Sequence, residues 1–198
     1  MYDTPISLQD CCMDFICDNL TALCEVQTTE TKQNKLVFKD AEACFHSDLS
    51  EQLLTSLCQK GKLTDETLAL FDSNVTSLRR VSIHDAQLTQ VGLRTLKTHR
   101  ISELEITGLP KQVTVNDVIG CLGEWTLTNL KILNVSNNTF LNNSKFCVVV
   151  ALSKLRSLHS LNVSDTEFNK HGLDIIAEVT IKQSLFITFI QHLGYYVL

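Results

Sequence analysis

Four segments of this chain repeat one spacing, and that periodicity constrains the fold more than any other feature. Leu130-x-x-Leu133-x-Val135-x-x-Asn138-x-Phe140 recurs as Leu158-x-x-Leu161-x-Val163-x-x-Thr166-x-Phe168. Upstream, Leu78-x-x-Val81-x-Ile83-x-x-Ala86-x-Leu88 is a third copy, and Ile101-x-x-Leu104-x-Ile106-x-x-Leu109 a degenerate fourth. The starts lie 23, 29 and 28 residues apart. A fixed period of this size means one supersecondary unit stacked on itself, since a single unit cannot bury its own apolar face.

Each copy centres on a short strand whose alternation sends Leu104, Leu133 or Leu161 and its second neighbour inward. The asparagine slot after the strand lets a side chain satisfy turn backbone that would otherwise be buried and unpaired. Ala86 and Leu109 cannot do so, and the first two copies are expected to be less regular. Between strands, apolar stripes predict helical returns over Gln90 to Lys97, Val115 to Leu122, Ser144 to Leu155 and Lys170 to Val179. The pattern is that of a leucine-rich repeat, and the fold expected is α/β: a short leucine-rich-repeat solenoid preceded by an all-helical N-terminal segment. The division expected is residues 1–75, helical; 76–180, repeats; and 181–198, an atypical apolar tail. That tail reads either as an improvised cap or as the point where a longer protein was cut or read out of its usual course.

Composition supports a folded core. Of 198 residues, 44% are apolar and 20% charged, with seven glycines and two prolines leaving little for linkers. The net charge is −5 and no Lys/Arg cluster reaches nucleic-acid density; Arg79-Arg80 reads as a solvated repeat edge. The tail is too short and too interrupted for an ordinary membrane span. None of the eight cysteines forms a C-x-x-C pair, so neither a zinc site nor a redox motif is expected. Cys11, Cys12, Cys17, Cys24 and Cys58 fall in helical apolar patterns, where a thiol acts as a small hydrophobe. No signal peptide is visible, and the expectation is a reduced intracellular compartment, cytoplasm or nucleus.

Catalysis has no motif behind it. Cys44-Phe45-His46 sets thiol and imidazole two residues apart, but a nucleophile–base pair is assembled in space. His84-Asp85 follows a repeat strand and reads as a turn pair. Trp125 is placed in the loop before Leu130, packing over the repeat edge. No catalytic residue, metal or cofactor is expected.

The N-terminal stretch Thr4 to Leu20, "TPISLQDCCMDFICDNL", predicts a helix with Thr4 as N-cap and Pro5 at the first helical position. Leu8, Cys12, Phe15 and Asn19 fall within about 60° of one another around it, flanked by Cys11 and Ile16. As a plain solenoid cap, this helix would bury Leu8 against Leu20 and the first repeat. Its residue types suggest more: Ser7-Leu8-x-x-x-Cys12-x-x-x-Ile16 resembles the elongin box of cullin-ligase substrate receptors. Downstream, Phe45-His46-Ser47-Asp48-Leu49-Ser50-Glu51-Gln52-Leu53 resembles the cullin-2 helix of such receptors, apolar-Pro-x-x-apolar-x-x-x-apolar, with His46 where proline stands. Ser47 would cap that helix, and Asp48 and Glu51 supply negative charge to its first turn. A further helix, Thr64 to Phe71, precedes the repeats.

This order resembles the amino-terminal part of the zyg-eleven/zer-one family of cullin-2 substrate receptors, over roughly residues 1 to 179. The resemblance implies a non-catalytic adaptor of a cullin-2–elongin B/C RING ubiquitin ligase that presents protein substrates for ubiquitination and degradation. It implies elongin C contact through Ser7, Leu8, Cys12, Phe15 and Ile16, and contact with cullin-2, which brings its RING subunit, through Phe45, His46, Leu49 and Leu53. Family members continue into armadillo-like repeats that bind substrates, notably proteins exposing an N-terminal glycine, and this chain stops before them. The alternative, from another class, is a leucine-rich-repeat interaction scaffold whose first helix is only a cap.

Overall fold

The computed structural model describes residues 7–28, 34–40, 42–139, 154–166 and 188–189. It is a mixed α/β structure built on a parallel sheet. Strands β3 (Arg80–His84), β4 (Glu103–Thr107), β5 (Ile132–Asn134) and β6 (Ser160–Asn162) pair in chain order, and β7 (Thr188–Phe189) adds a short fifth. The register sets Val81, Leu104, Leu133 and Leu161 side by side, each buried. Ile83, Ile106, Val135 and Val163 line the same face further along, where the sequence spacing places them.

The turn leaving each of the four strands has one backbone form. Asp85, Gly108, Asn137 and Asp165 all lie at φ between 50° and 66°, each one residue before the slot held by Ala86, Leu109, Asn138 or Thr166. Glycine, asparagine and aspartate are the residues that reach this left-handed region most readily. The turns stack through backbone bonds: Asp85 N donates to Thr107 O, Gly108 N to Asn137 O, and Asn137 N to Ser164 O. A Cβ at residue 108 would collide with the Asp85 carboxylate. The first two copies thus keep the same turn despite lacking the asparagine, contrary to the expected irregularity; Leu109 N–H instead donates to Asn138 of the next copy.

The return segments seen are α5 (Gln90–Leu93), continued by a 3₁₀ turn over Arg94–Thr98, then α6 (Val115–Gly120) and α7 (Glu124–Asn129). The first two match their expected ranges. Thr89 and Thr114 cap α5 and α6, Thr114 reciprocally with Asp117. Trp125 lies within α7, not in a loop, with the Arg100 guanidinium over its ring at 5.9 Å. The helices expected over Ser144–Leu155 and Lys170–Val179, and the tail 181–198, lie outside the described residues apart from Lys154, Leu155 and β7.

The N-terminal segment is not all helical. α1 (Leu8–Asp18) and the single turn α2 (Leu20–Leu23) lead into an antiparallel hairpin, β1 (Cys24–Thr28) with β2 (Asn34–Phe38). Cys24 opens a strand rather than continuing a helix. The segment Cys24–Thr28 carries β-branched Val26 and Thr28, which suit a strand, and every residue after Cys24 is exposed. Then follow α3 (Ser47–Gln59) and α4 (Asp65–Leu68), capped by Thr64 and extended by a 3₁₀ turn to Phe71. Among the described residues no helix is long and apolar enough to cross a membrane, and their seven cysteines are all free.

His99 ties this segment to the first strand. Its ring is buried; Leu78 N–H donates to Nδ1 at 3.3 Å, so Nε2–H donates to the Phe71 carbonyl at 2.6 Å. Burial pushes the imidazole below its ordinary value, against smaller opposing pulls from the Phe71 carbonyl and Asp72. The unfolded chain therefore takes up the proton first. The stability from this link is complete above pH about 6.5 and is lost progressively as pH falls below it. We expect the urea midpoint to drop between pH 7.5 and 5.5, and His99→Gln to flatten that dependence; an equal slope in the variant would contradict it.

Candidate protein-docking site

α1 is held on α3 by one face and leaves another bare. Ser7 caps it: the hydroxyl accepts Asp10 N–H at 3.1 Å and donates to the Asp10 carboxylate at 2.7 Å. The helix starts at Leu8, three residues later than Thr4-Pro5 predicts. Met13 and Cys17, one turn apart, are buried among the residues of the core. Burying the methionine contributes roughly 2 kcal/mol, and burial pushes the Cys17 thiol up.

Charges fix the helix end. α1 has no basic residue in its last turn, and Lys60 and Lys62 from the end of α3 take that place. Lys62 bonds the Cys17 carbonyl at 3.0 Å and Asp18 at 2.7 Å; Lys60 reaches Asp14 at 3.0 Å and Asp18 at 3.2 Å. Hydrogen bonds from Lys62 and then Lys60 hold the Asp18 carboxyl below its usual range. Cations at a helix C-terminus also oppose its dipole. The two ammonium groups thus supply from α3 what α1 lacks.

On the opposite face Leu8 is 81% exposed and Phe15 61% exposed, with Ser7, Cys11 and Cys12 also exposed. Ile16 is half-buried and packs on the core. The cap reading required Leu8 to be buried, and it is not. An apolar stripe left in water on a firmly seated helix marks a contact surface more than a folding surface.

The second predicted group divides. His46 is exposed and is itself the residue preceding α3, in place of the expected Ser47 cap. Phe45 is half-buried, its ring 5.2 Å from that of Phe38. Leu49 is half-buried against the core. Leu53 is 0% exposed; it faces the sheet and belongs to the core, so the accessible part of this group is Phe45, His46 and Leu49.

What α3 does for the sheet was not foreseen. Within the sheet, Arg79 O accepts the N–H groups of Ser102 and Glu103, Ser102 O those of Lys131 and Ile132, and Lys131 O those of His159 and Ser160. Among the described residues no strand pairs with the other edge of β3 to continue the series. Glu51 replaces that carbonyl: its Oε1 accepts Arg79 N–H at 3.1 Å and Arg80 N–H at 2.9 Å, while Oε2 takes Arg80 Nε at 3.0 Å. Seven residues on, two turns along the same helix face, Cys58 Sγ accepts His84 N–H and donates to His84 O, both at 3.1 Å. α3 therefore closes the open edge of β3 at both ends. Arg79-Arg80, read as a solvated edge, is exposed as expected, with its two backbone N–H groups taken by Glu51. His84-Asp85 is a turn pair as expected, the imidazole lying between Ser82 and Thr107 hydroxyls. Among the described residues no group of His, Cys, Asp and Glu could hold a metal ion.

No protein-family model matches this chain. No solved structure matches it significantly either.

Proposed function

We propose that this chain is a substrate-recruiting, non-catalytic subunit of a cullin-2–elongin B/C RING ubiquitin ligase, acting inside the cell on protein substrates. The parallel sheet is the strand layer of a leucine-rich-repeat solenoid; the one-sided burial of Val81, Leu104, Leu133 and Leu161 and the four like turns support that reading. Ubiquitin transfer in such a complex needs proximity rather than a side chain from the receptor.

The observation that carries the proposal is the exposed face of α1. Leu8 and Cys12 sit one turn apart on a helix already capped and seated, so an elongin C pocket would receive Leu8 without the helix having to fold or detach. Ser7 holds the first turn, Phe15 widens the contact, and Ile16 sits at its border. Phe45, His46 and Leu49 at the start of α3 are the surface offered to cullin-2. The competing scaffold reading leaves the bare Leu8–Phe15 face without a use.

Co-expression with elongins B and C tests this. We expect a stable complex on size exclusion, lost in Leu8→Ala/Cys12→Phe with the circular-dichroism spectrum unchanged, since neither side chain is part of the core. Elongin binding retained by that folded double variant sinks the proposal. A cullin-2 pull-down then asks whether His46 serves in the proline position.

A further inference from the structure

The sheet has one buried face and one open face, and the open face floors a groove of about 870 Å³ walled by α1 and α3. Alternation and register arrange its outward side chains in rows. One row runs Arg80, Glu103, Ile132, Ser160; the next runs Ser82, Glu105, Asn134, Asn162. Five carboxylates line the groove, from Asp10, Asp48, Glu51, Glu103 and Glu105, against a single described cation, Arg80. That guanidinium is turned to the α3 wall by Glu51 and by Asp48 at 3.5 Å.

The carboxylates differ in how far they are committed. Glu51 is taken up by β3, and Glu105 accepts from Ser82 and Asn134. Glu103 sits half-buried on the groove floor beside its register partner Arg80, whose charge it feels, and no hydrogen bond or ion pair engages its side chain among the described residues. Its neighbour across the register is Ile132, 41% exposed, an apolar side chain in the centre of an otherwise polar floor. A carboxylate beside a bare aliphatic surface is the complement of a long basic side chain, whose methylenes cover apolar surface while its head pairs with the acid. Asn134 and Asn162 continue the floor with amides suited to peptide backbone.

We infer that this open face is a docking groove for an extended basic segment of a partner protein, with Glu103 and Ile132 forming the subsite for an arginine or lysine. Four strands about 4.8 Å apart present about 15 Å of floor, the reach of about five extended residues. The inference stands whether or not α1 takes elongin C, because the groove uses the other side of that helix.

The test is fluorescence anisotropy on the full chain with a labelled peptide alternating arginine and serine, about nine residues long, beside a glutamate–serine counterpart. The arginine peptide should bind, more weakly as salt is raised, and the glutamate peptide should not. Glu103→Gln and Ile132→Ser should each weaken binding about tenfold, while Glu66→Gln, exposed and outside the groove, should leave it unchanged. Glu103→Lys should reverse the preference toward the glutamate peptide, which guards against reading a folding defect as lost binding. Arginine-peptide affinity indifferent to Glu103→Gln, equal binding of both peptides, or concentration-dependent self-association that blocks the peptide would each overturn it.

Discussion

Glu51→Ala is expected to destabilise the fold by about 3 kcal/mol. The carboxylate accepts two backbone N–H groups and the Arg80 guanidinium, and alanine leaves those donors at the sheet's edge without an acceptor. An unmade bond at a part-buried donor costs some desolvation as well as the bond, and three donors are affected at once, which is why the effect exceeds that of an ordinary surface ion pair. Glu51→Gln keeps an oxygen for the backbone but sets an amide NH2 where Oε2 accepts Arg80 Nε–H, so it should cost about 1 kcal/mol, less than alanine. Urea denaturation checks the order, and hydrogen exchange at the Arg79 and Arg80 amides checks the cause, since those two should lose protection first. A loss under about 0.5 kcal/mol for alanine would mean that water replaces the carboxylate freely.

Asn138→Ala should cost about as much, for a different reason. The amide Nδ2 lies 2.6 Å from Ile106 O, 3.0 Å from Val135 O and 3.2 Å from Ser136 O, and Oδ1 accepts Leu109 N–H at 2.9 Å. One buried side chain thus joins two successive turns. Alanine strands one amide and its carbonyl partners together, for about 3 kcal/mol. Asn138→Asp separates the two ends of the amide: it keeps an acceptor for Leu109 and turns an oxygen toward three carbonyls. We expect it to be no better than alanine at neutral pH. Recovery of most of the stability by aspartate at pH 7 would show that only the Leu109 bond matters.

Residues whose role repeats were readable from sequence. Val81, Leu104, Leu133 and Leu161 recur with a period, and a period survives loss of any single copy. Asn138 was expected to serve turn backbone because its slot follows a strand, and it does. The left-handed residues Asp85, Gly108, Asn137 and Asp165 carried a signal that went unused: each is Asp, Asn or Gly, one place before the slot. Glu51, Cys58 and His99 could not be read. Each acts once, at a junction, on backbone 21 to 29 residues away in sequence, and nothing in local spacing marks such a partner. The hairpin at Cys24–Phe38 was missed because Cys24 also fits the apolar stripe of the preceding helix. Leu53 matched a docking motif and a core helix equally well, since both require an apolar residue one turn after Leu49.

α3 has two neighbours at once: Met13, Cys17 and the Lys60 and Lys62 ion pairs seat α1 on it, and Glu51 and Cys58 weld it to β3. There is no hinge between the bare face of α1 and the first strand of the sheet, because one helix forms both joints. Anything gripping α1 is therefore held at a set distance and angle from anything lying along the sheet. A tethered pair meets at a local concentration governed by the stiffness and length of what joins it. Here that joint is the width of a single helix.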